Sequence, residues 1–320
     1  MRTFIIGTND ANQRFDKYLK KLLPNASTGF LYKMLRKKNI TLDGKKATGK
    51  ETVKKGSEVK VFFSEETFEK FMQDASVLQA DYENLKNLPM KGLSVVYEDT
   101  DILIADKPAN MLSQKAKDTD LSANEYLLGY LIRSGALSLE AFTTFRPSVC
   151  NRLDRNTTGL LLMGKTLAGA QKLSEGLRDR SIHKFYRAIV AGTVKNGAHL
   201  SGWLLKDEET NQVQILREPV KDAVQIETSY EPVQADRDHT LLEIHLITGK
   251  THQIRAHLAS IGHPVIGDKK YGDETVNHRY EEMFKVRHQL LHAYRLEFPD
   301  GQTVCAPMPG LFERIVKEQR

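Results

Sequence analysis

The chain has 320 residues, of which 40% are hydrophobic and 28% charged, proportions of a soluble globular protein long enough for two domains at roughly 100–200 residues each. Only two cysteines occur, Cys150 and Cys305, which excludes a disulfide framework and a four-cysteine zinc site, and no apolar run approaches the roughly 20 residues that a transmembrane helix needs. The net charge of +6 is uneven: residues 1–62 hold 15 Lys and Arg against 5 Asp and Glu, residues 63–90 hold 2 against 6, and residues 91–320 hold 30 of each.

Met1 to Thr8 lacks the apolar core of a secretion signal, so a reducing cytoplasm is the expected compartment. Phe15, Tyr18, Leu19, Leu22 and Leu23 then recur at the spacing of one helix face. Pro24 to Gly29 breaks that helix, and Ser27 or Thr28 is placed to cap a second one whose inward residues are Leu31, Met34 and Leu35. Lys33, Arg36, Lys37 and Lys38 mark its other side and exit. Ile40 and Leu42 lead into an Asp43–Gly44 turn, and Val59, Val61 and Phe63 alternate as a later strand. Such a basic segment is the electrostatic footprint of a nucleic-acid-binding module, while a solvated basic face or a surface for an acidic protein fits the charge equally.

Residues 64–90 are acidic and carry Phe68, Phe71 and Met72 at helical spacing, so a flexible, partly helical linker is expected there. Leu93 to Ala105 reads as two strands around the turn Glu98–Asp101, and Asn124 to Ile132 as a helix with Tyr126, Leu127, Tyr130 and Leu131 on one face. Ser134 to Phe145 shows no clear period.

The most informative stretch is Asn151 to Lys165. Asp154 stands between Arg152 and Arg155 and leads into the apolar run Leu160 to Met163, which has the length of a buried strand. Two adjacent guanidinium groups favour an ionised carboxylate, so Asp154 is a candidate for chemistry; a structural ion pair at a strand mouth satisfies the same pattern. Ala168 to Leu177 reads as a helix, and Lys184 to Val190 as a strand whose alternation puts Tyr186 on the face opposite Phe185 and Arg187. Leu242, Ile244 and Leu246 alternate as another strand, Thr248–Gly249 turns the chain, and Thr251 is placed to cap a helix that Gly262 and Pro264 end. Ile254, Leu258 and Ile261 form the expected buried side of that helix, with Arg255 at its edge and His252 nearby. His252, His257 and His263 lack the spacing of a zinc motif, so no metal site is expected.

Taken together, Arg152–Leu162, Lys184–Ala188, Thr248–Leu258 with Gly262–Asp268, and Leu290–Ala293 resemble the pseudouridine synthases of the large-ribosomal-subunit type, in the order and approximate separation found there. Arg14 to Leu19 and Leu35 to Lys45 resemble the RNA-binding module first recognised in a small-subunit ribosomal protein. The resemblance implies isomerisation of uridine in RNA without a cofactor: the bond from base nitrogen to ribose is cut, the base turns, and it is rejoined through carbon. It implies Asp154 as the essential acid, Tyr186 as the aromatic stacked on the base, Arg255 as the partner of Asp154, and Arg152 as the residue that fills the gap left by a flipped nucleotide. Arg155, His252, Ile254 and Leu291 are the further substrate-binding residues, and Lys33, Arg36, Lys37 and Lys38 the RNA-binding ones.

Three positions depart from the pattern: Asn151 stands where histidine is common, Thr158 where serine is usual, and Asn110 where an Ala-Gly pair normally follows Lys-Pro. A non-catalytic RNA-binding or ribosome-assembly protein is the rival from another class, and transfer RNA the rival substrate. An RNA methyltransferase would need a glycine-rich cofactor loop, and no Gly-x-Gly-x-x-Gly pattern occurs. The expected architecture is α+β: a small basic module over 1–63, a linker over 64–90, and over 91–320 a catalytic domain with a large mixed, mostly antiparallel sheet and flanking helices. Ribosomal RNA is the expected partner, with no membrane and no metal, and a monomer is expected.

Overall fold

The computed structural model describes residues 1–318. At its N-terminal end, strand β1 (Arg2–Ile5) precedes helix α1 (Phe15–Leu22), whose Phe15, Tyr18, Leu19 and Leu22 are all buried, as their i, i+3, i+4, i+7 spacing requires. Ser27 caps helix α2 (Thr28–Arg36) by accepting the Phe30 N–H at 3.2 Å. These helices pack on an antiparallel four-stranded sheet of order β1-β4-β2-β3, with β2 (Ile40–Leu42), β3 (Lys45–Lys46) and β4 (Glu58–Val61). Lys33, Arg36, Lys37 and Lys38 are exposed.

Residues 64–90 are partly helical, as their spacing suggests: they form α3 (Glu65–Phe71) and α4 (Ala75–Lys86), and both helices bury apolar residues. Phe68 is fully buried in the N-terminal core, whereas Leu78 and Leu85 enter the large core of the following region. The Tyr82 hydroxyl also donates to the Leu137 carbonyl at 2.8 Å. An acidic composition reports how solvated the outward side is, and says nothing of whether the few apolar residues find neighbours to pack against.

The remaining chain is organised on one eleven-stranded sheet. Its strands are β5 (Ser94–Glu98), β6 (Ile102–Lys107), β7 (Ser148–Val149), β8 (Thr158–Gly164), β9 (His183–Ala191), β10 (Ala198–Asp207), β11 (Gln212–Leu216), β12 (Val224–Ala235), β13 (His239–Leu246), β14 (Leu291–Glu297) and β15 (Thr303–Cys305). The main path runs β11-β10-β12-β13-β9-β14-β8-β6-β5, with β15 on β14 and β7 on β8. Every pairing is antiparallel except β14 with β8. This is the mixed, mostly antiparallel sheet with flanking helices that the sequence suggests.

Both faces of the sheet centre are covered, which explains the unbroken apolar run in β8. Leu161 and Met163 join the core formed with α4 and α5 (Ala123–Arg133), while Leu160 and Leu162 join the one beneath α7 (Leu167–Arg178). Each such side chain stabilises the fold by about 1.5–3 kcal/mol on burial. Ser134 to Phe145, without a clear period in sequence, contains the short helix α6 (Leu139–Thr144), too brief to display one. Helices α8 (Gln253–Ser260), α9 (Glu274–Phe284) and α10 (Gly310–Lys317) complete the fold.

Where β8 meets β14 the strands approach closely. Gly159 has φ 109°, and a Cβ there would collide with the Ala293 backbone, so the turn that carries Asp154 enters the sheet through a position only glycine fills.

Candidate active site

Asp154 lies in the turn between Asn151 and Thr158, and that turn is tied down on both sides. The Ser113 hydroxyl accepts the Leu153 N–H at 3.0 Å and lies 2.9 Å from the Leu153 carbonyl, to which it donates. The Arg155 carbonyl accepts from Lys107 Nζ and from the Met111 N–H, each at 3.1 Å. Asn151 accepts the Leu162 N–H at 2.8 Å and donates to the Leu160 carbonyl at 3.2 Å, locking the loop to β8. Thr158 pairs with His292 Nδ1 at 2.7 Å across the parallel strands. Two of the three positions that depart from the resembled pattern, Asn151 and Thr158, therefore hold backbone or sheet in place.

The ion-pair partner of Asp154 is not one of its neighbours. Arg152 and Arg155 are exposed, and among the described residues neither forms a salt bridge with it. Leu153 is buried between exposed Arg152 and half-buried Asp154. The partner is Arg255, which donates from Nη1 to Asp154 Oδ2 at 2.8 Å across 101 positions of sequence. Arg255 also donates from Nε and Nη2 to Asp268 at 2.6 and 2.7 Å.

Helix α8 delivers Arg255 in an unexpected way. Thr251 is exposed and does not cap it; the N-cap is His252, held in the left-handed region at φ 53° without a side-chain cap. Gln253 secures the start instead, accepting from Thr248 at 2.9 Å and donating to Thr228 at 2.9 Å. Nor is the helix one-sided: Gln253 to Leu258 are all buried, and Ile261 is only partly so. Sequence spacing detects an apolar stripe, and a helix enclosed by sheet and loops hides polar side chains too, provided each has a partner.

Tyr186 on β9, Ile254 on α8 and Leu291 on β14 line the same cleft as Asp154, together with Leu246. Its volume is about 1230 Å³. Burial, and secondarily the Asp154 charge, push the Tyr186 phenol well above its ordinary range, so it stays neutral. His252 Nδ1 and the Tyr271 hydroxyl share a hydrogen bond at 3.0 Å, and burial lowers the His252 pKa against the opposing pull of Asp154. Eleven Lys and Arg line the cleft, among them Arg152, Arg155, Lys250, Lys269 and Arg287, against a single carboxylate, Asp154.

Sequence reasoning missed three residues around this site. Lys107 is fully buried, donates to the carbonyls of Pro108, Met111 and Arg155, and is pulled down to about 7 by burial, with Asp154 and Asp106 opposing. Ser113 and Asp268 are likewise buried. The available signal was a charged pair, Asp106–Lys107, closing the apolar run Ile102 to Ala105. Among the described residues no group of three or more His, Cys, Asp or Glu could hold a metal ion, and His252, His257 and His263 have separate partners in Tyr271, Thr228 and the Ala191 carbonyl.

Comparison with known proteins gives one consistent result. Residues 101–260 match the family described as RNA pseudouridylate synthase. A ribosomal large subunit pseudouridine synthase D of Xanthomonas campestris pv. campestris is 30% identical over 332 residues, covering 100% of this chain and 93% of that protein. An uncharacterized RNA pseudouridine synthase of Mycoplasma genitalium is 29% identical, covering 95% and 91%. The human RNA pseudouridylate synthase domain containing 4 has the same fold, with a TM-score of 0.57 at 20% identity over 73% of this chain and 95% of that one.

Proposed function

The chain belongs to the RNA pseudouridylate synthase family and is thus an isomerase acting on RNA; from that premise we propose that it converts specific uridines of large-subunit ribosomal RNA, with Asp154 as the reacting group. The observation that carries the reading of the site is the placement of one carboxylate, gripped by Arg255, in a cleft lined by eleven Lys and Arg and no other carboxylate. An ionised aspartate there acts as nucleophile or stabilises a cationic ribose. Reaching a glycosidic bond in structured RNA calls for extruding the nucleotide. Tyr186 supplies the stacking surface, Ile254 and Leu291 the apolar floor, and Arg152, exposed at the cleft, fills the gap in the RNA. His252 and Arg155 complete the contacts with the nucleotide.

In this reading residues 1–63 form a ribosomal-protein-type RNA-binding module that grips RNA through Lys33, Arg36, Lys37 and Lys38. Residues 64–90 join it to the catalytic domain, residues 91–320. The basic excess of residues 1–62 supports this assignment. The ribosomal substrate is taken from the name of the Xanthomonas relative.

Mapping pseudouridines in ribosomal and transfer RNA from a strain lacking the protein, with and without Asp154→Asn supplied in trans, tests both parts. Loss at large-subunit sites, restored by the wild type and not by the variant, is expected. Loss confined to transfer RNA would move the substrate, and restoration by Asp154→Asn would end the role given to the aspartate.

A further inference from the structure

Arg255 distributes its donors unequally between two carboxylates. Nε and Nη2 form a fork onto Asp268, while only Nη1 reaches Asp154. The Asp268 side chain is fully enclosed, whereas Asp154 keeps 26% of its side-chain surface open. Among the described residues, Asp154 Oδ2 accepts one hydrogen bond from Arg255 and Oδ1 accepts none.

Asp268 is itself held independently of Arg255. Its Oδ1 accepts the N–H groups of Lys270 and Tyr271 at 2.9 and 3.2 Å, and its carbonyl accepts from Asn277 at 2.9 Å. Asn277 in turn accepts the Gly267 N–H at 2.6 Å. Gly267 has φ 81°, and a Cβ there would strike the His288 carbonyl, so the turn bearing Asp268 has one available conformation. The Tyr271 ring lies 5.2 Å from the guanidinium carbon and closes its other side.

We infer that Asp268 is a positioning residue that holds Arg255 by its fork, so that Asp154 receives a single N–H and keeps one oxygen uncovered toward the cleft. The inference rests on the reading of Asp154 as the reacting group. Left to one carboxylate, an arginine forms two parallel hydrogen bonds with it, and such a fork would cover both oxygens of Asp154 and cancel its charge. With Asp268 present, the two carboxylates and one guanidinium sum to −1, and Asp154 is the one of the two carboxylates that lines the cleft. Arg255 then orients Asp154 without neutralising it.

Asp268→Asn tests this directly. The amide oxygen retains the contacts made by Oδ1, while the amide nitrogen meets the Arg255 Nε donor and opens the fork. Single-turnover conversion is measured on total RNA from a strain lacking the enzyme, tritiated at uridine C5, since each uridine converted releases that hydrogen. The rate is expected to fall about 100-fold with RNA retention unchanged. The acid limb of the rate profile moves to lower pH, because an undivided guanidinium favours ionised Asp154. The other groups facing Asp154, namely Lys107 from β6, Tyr186 from β9, His252 beside α8, Tyr271, and the flanking Arg152 and Arg155, are unchanged in the variant.

Asp268→Glu keeps the charge, so its acid limb stays in place and its rate is nearer the wild type. It also decides the matter if the asparagine variant fails to fold: a limb displaced in Asp268→Glu overturns the inference. A folded Asp268→Asn enzyme with wild-type rate, or a slower one whose acid limb has not moved, overturns it as well. Asp154→Asn in the same assay separates the two readings, since activity there defeats the role of Asp154, whereas an inactive Asp154→Asn beside an unaffected Asp268→Asn defeats this inference alone.

Discussion

Residues 1–62 carry 15 Lys and Arg against 5 Asp and Glu, whereas residues 91–320 carry 30 of each; yet the cleft of the second region is lined by eleven Lys and Arg and one carboxylate. The first region is basic because its sequence is. The second becomes basic in one place because folding sends its acids elsewhere. Glu243 is paired with Arg187 and Arg295, Glu98 with Lys165, and Asp268 is sealed behind Arg255. A single anion left among cations is suited to attract RNA while keeping one negative group for the reacting nucleotide. On the proposed reading, local charge excess marks where RNA is gripped, and charge segregation by the fold marks where it is altered.

The sharpest way to break this comparison is to remove the anion alone. Asp154→Asn is expected to lower single-turnover conversion by about 10³-fold or more while filter retention of RNA and melting temperature stay near wild type. A folded, active variant would leave the cleft without a distinct chemical role.

Acid should also separate the regions, because residues 1–62 contain no histidine. His257 is buried against Thr228 at 3.1 Å, and burial, with His199 adding to it, pulls its pKa from 6.5 to about 4. Between those values the unfolded chain binds the proton and the native chain does not, so stability falls as pH falls through that window. The loss from this residue is about 2–3 kcal/mol by pH 4.5. Urea unfolding at pH 7 and 4.5 should show His257→Gln losing that much less than wild type; equal losses would mean that His257 charges in place.

Arg255→Lys keeps the charge and lacks the planar fork that serves two carboxylates. Conversion is expected to drop about 100-fold, and near-normal turnover would show that charge alone is sufficient there. The smallest effects are expected from neutralising three exposed cations at a time. Lys33, Arg36 and Lys37 changed together to Gln should reduce the salt dependence of RNA binding by up to roughly two units of slope and leave single-turnover conversion unaltered. Lys250, Lys269 and Arg287 changed together should reduce the slope and also slow conversion about tenfold, roughly 1.4 kcal/mol. If both sets slow conversion equally, gripping and altering are not divided between the regions.

Much of the fold was legible because its strongest elements are periodic. The face of α1, the run in β8 and the alternation of β9 and β13 all sit where their spacing puts them. The packing of α3 and α4 was not legible, since their apolar residues are few and their partners lie in two different cores. The start of α8 escaped for another reason: His252 adopts a left-handed conformation that its residue type does not announce, and Gln253 replaces the hydroxyl cap. At the site, Asp154, Tyr186 and Arg255 stood out in their own stretches. Asp268, Ser113 and Lys107 did not, because each acts on a residue distant in sequence.

The amino-acid sequence by itself determined the element types, the basic N-terminal segment and the family, since these depend on period, composition and motifs carried in single stretches. The tertiary structure alone decided that Asp268 shares the arginine which the resemblance gives to Asp154, and that a region with balanced charge presents a cationic cleft. Those outcomes depend on groups brought together across the chain, as Arg255 and Asp154 are across 101 positions, and electrostatic energies follow distance and burial in space, to which neighbours in sequence are a poor guide.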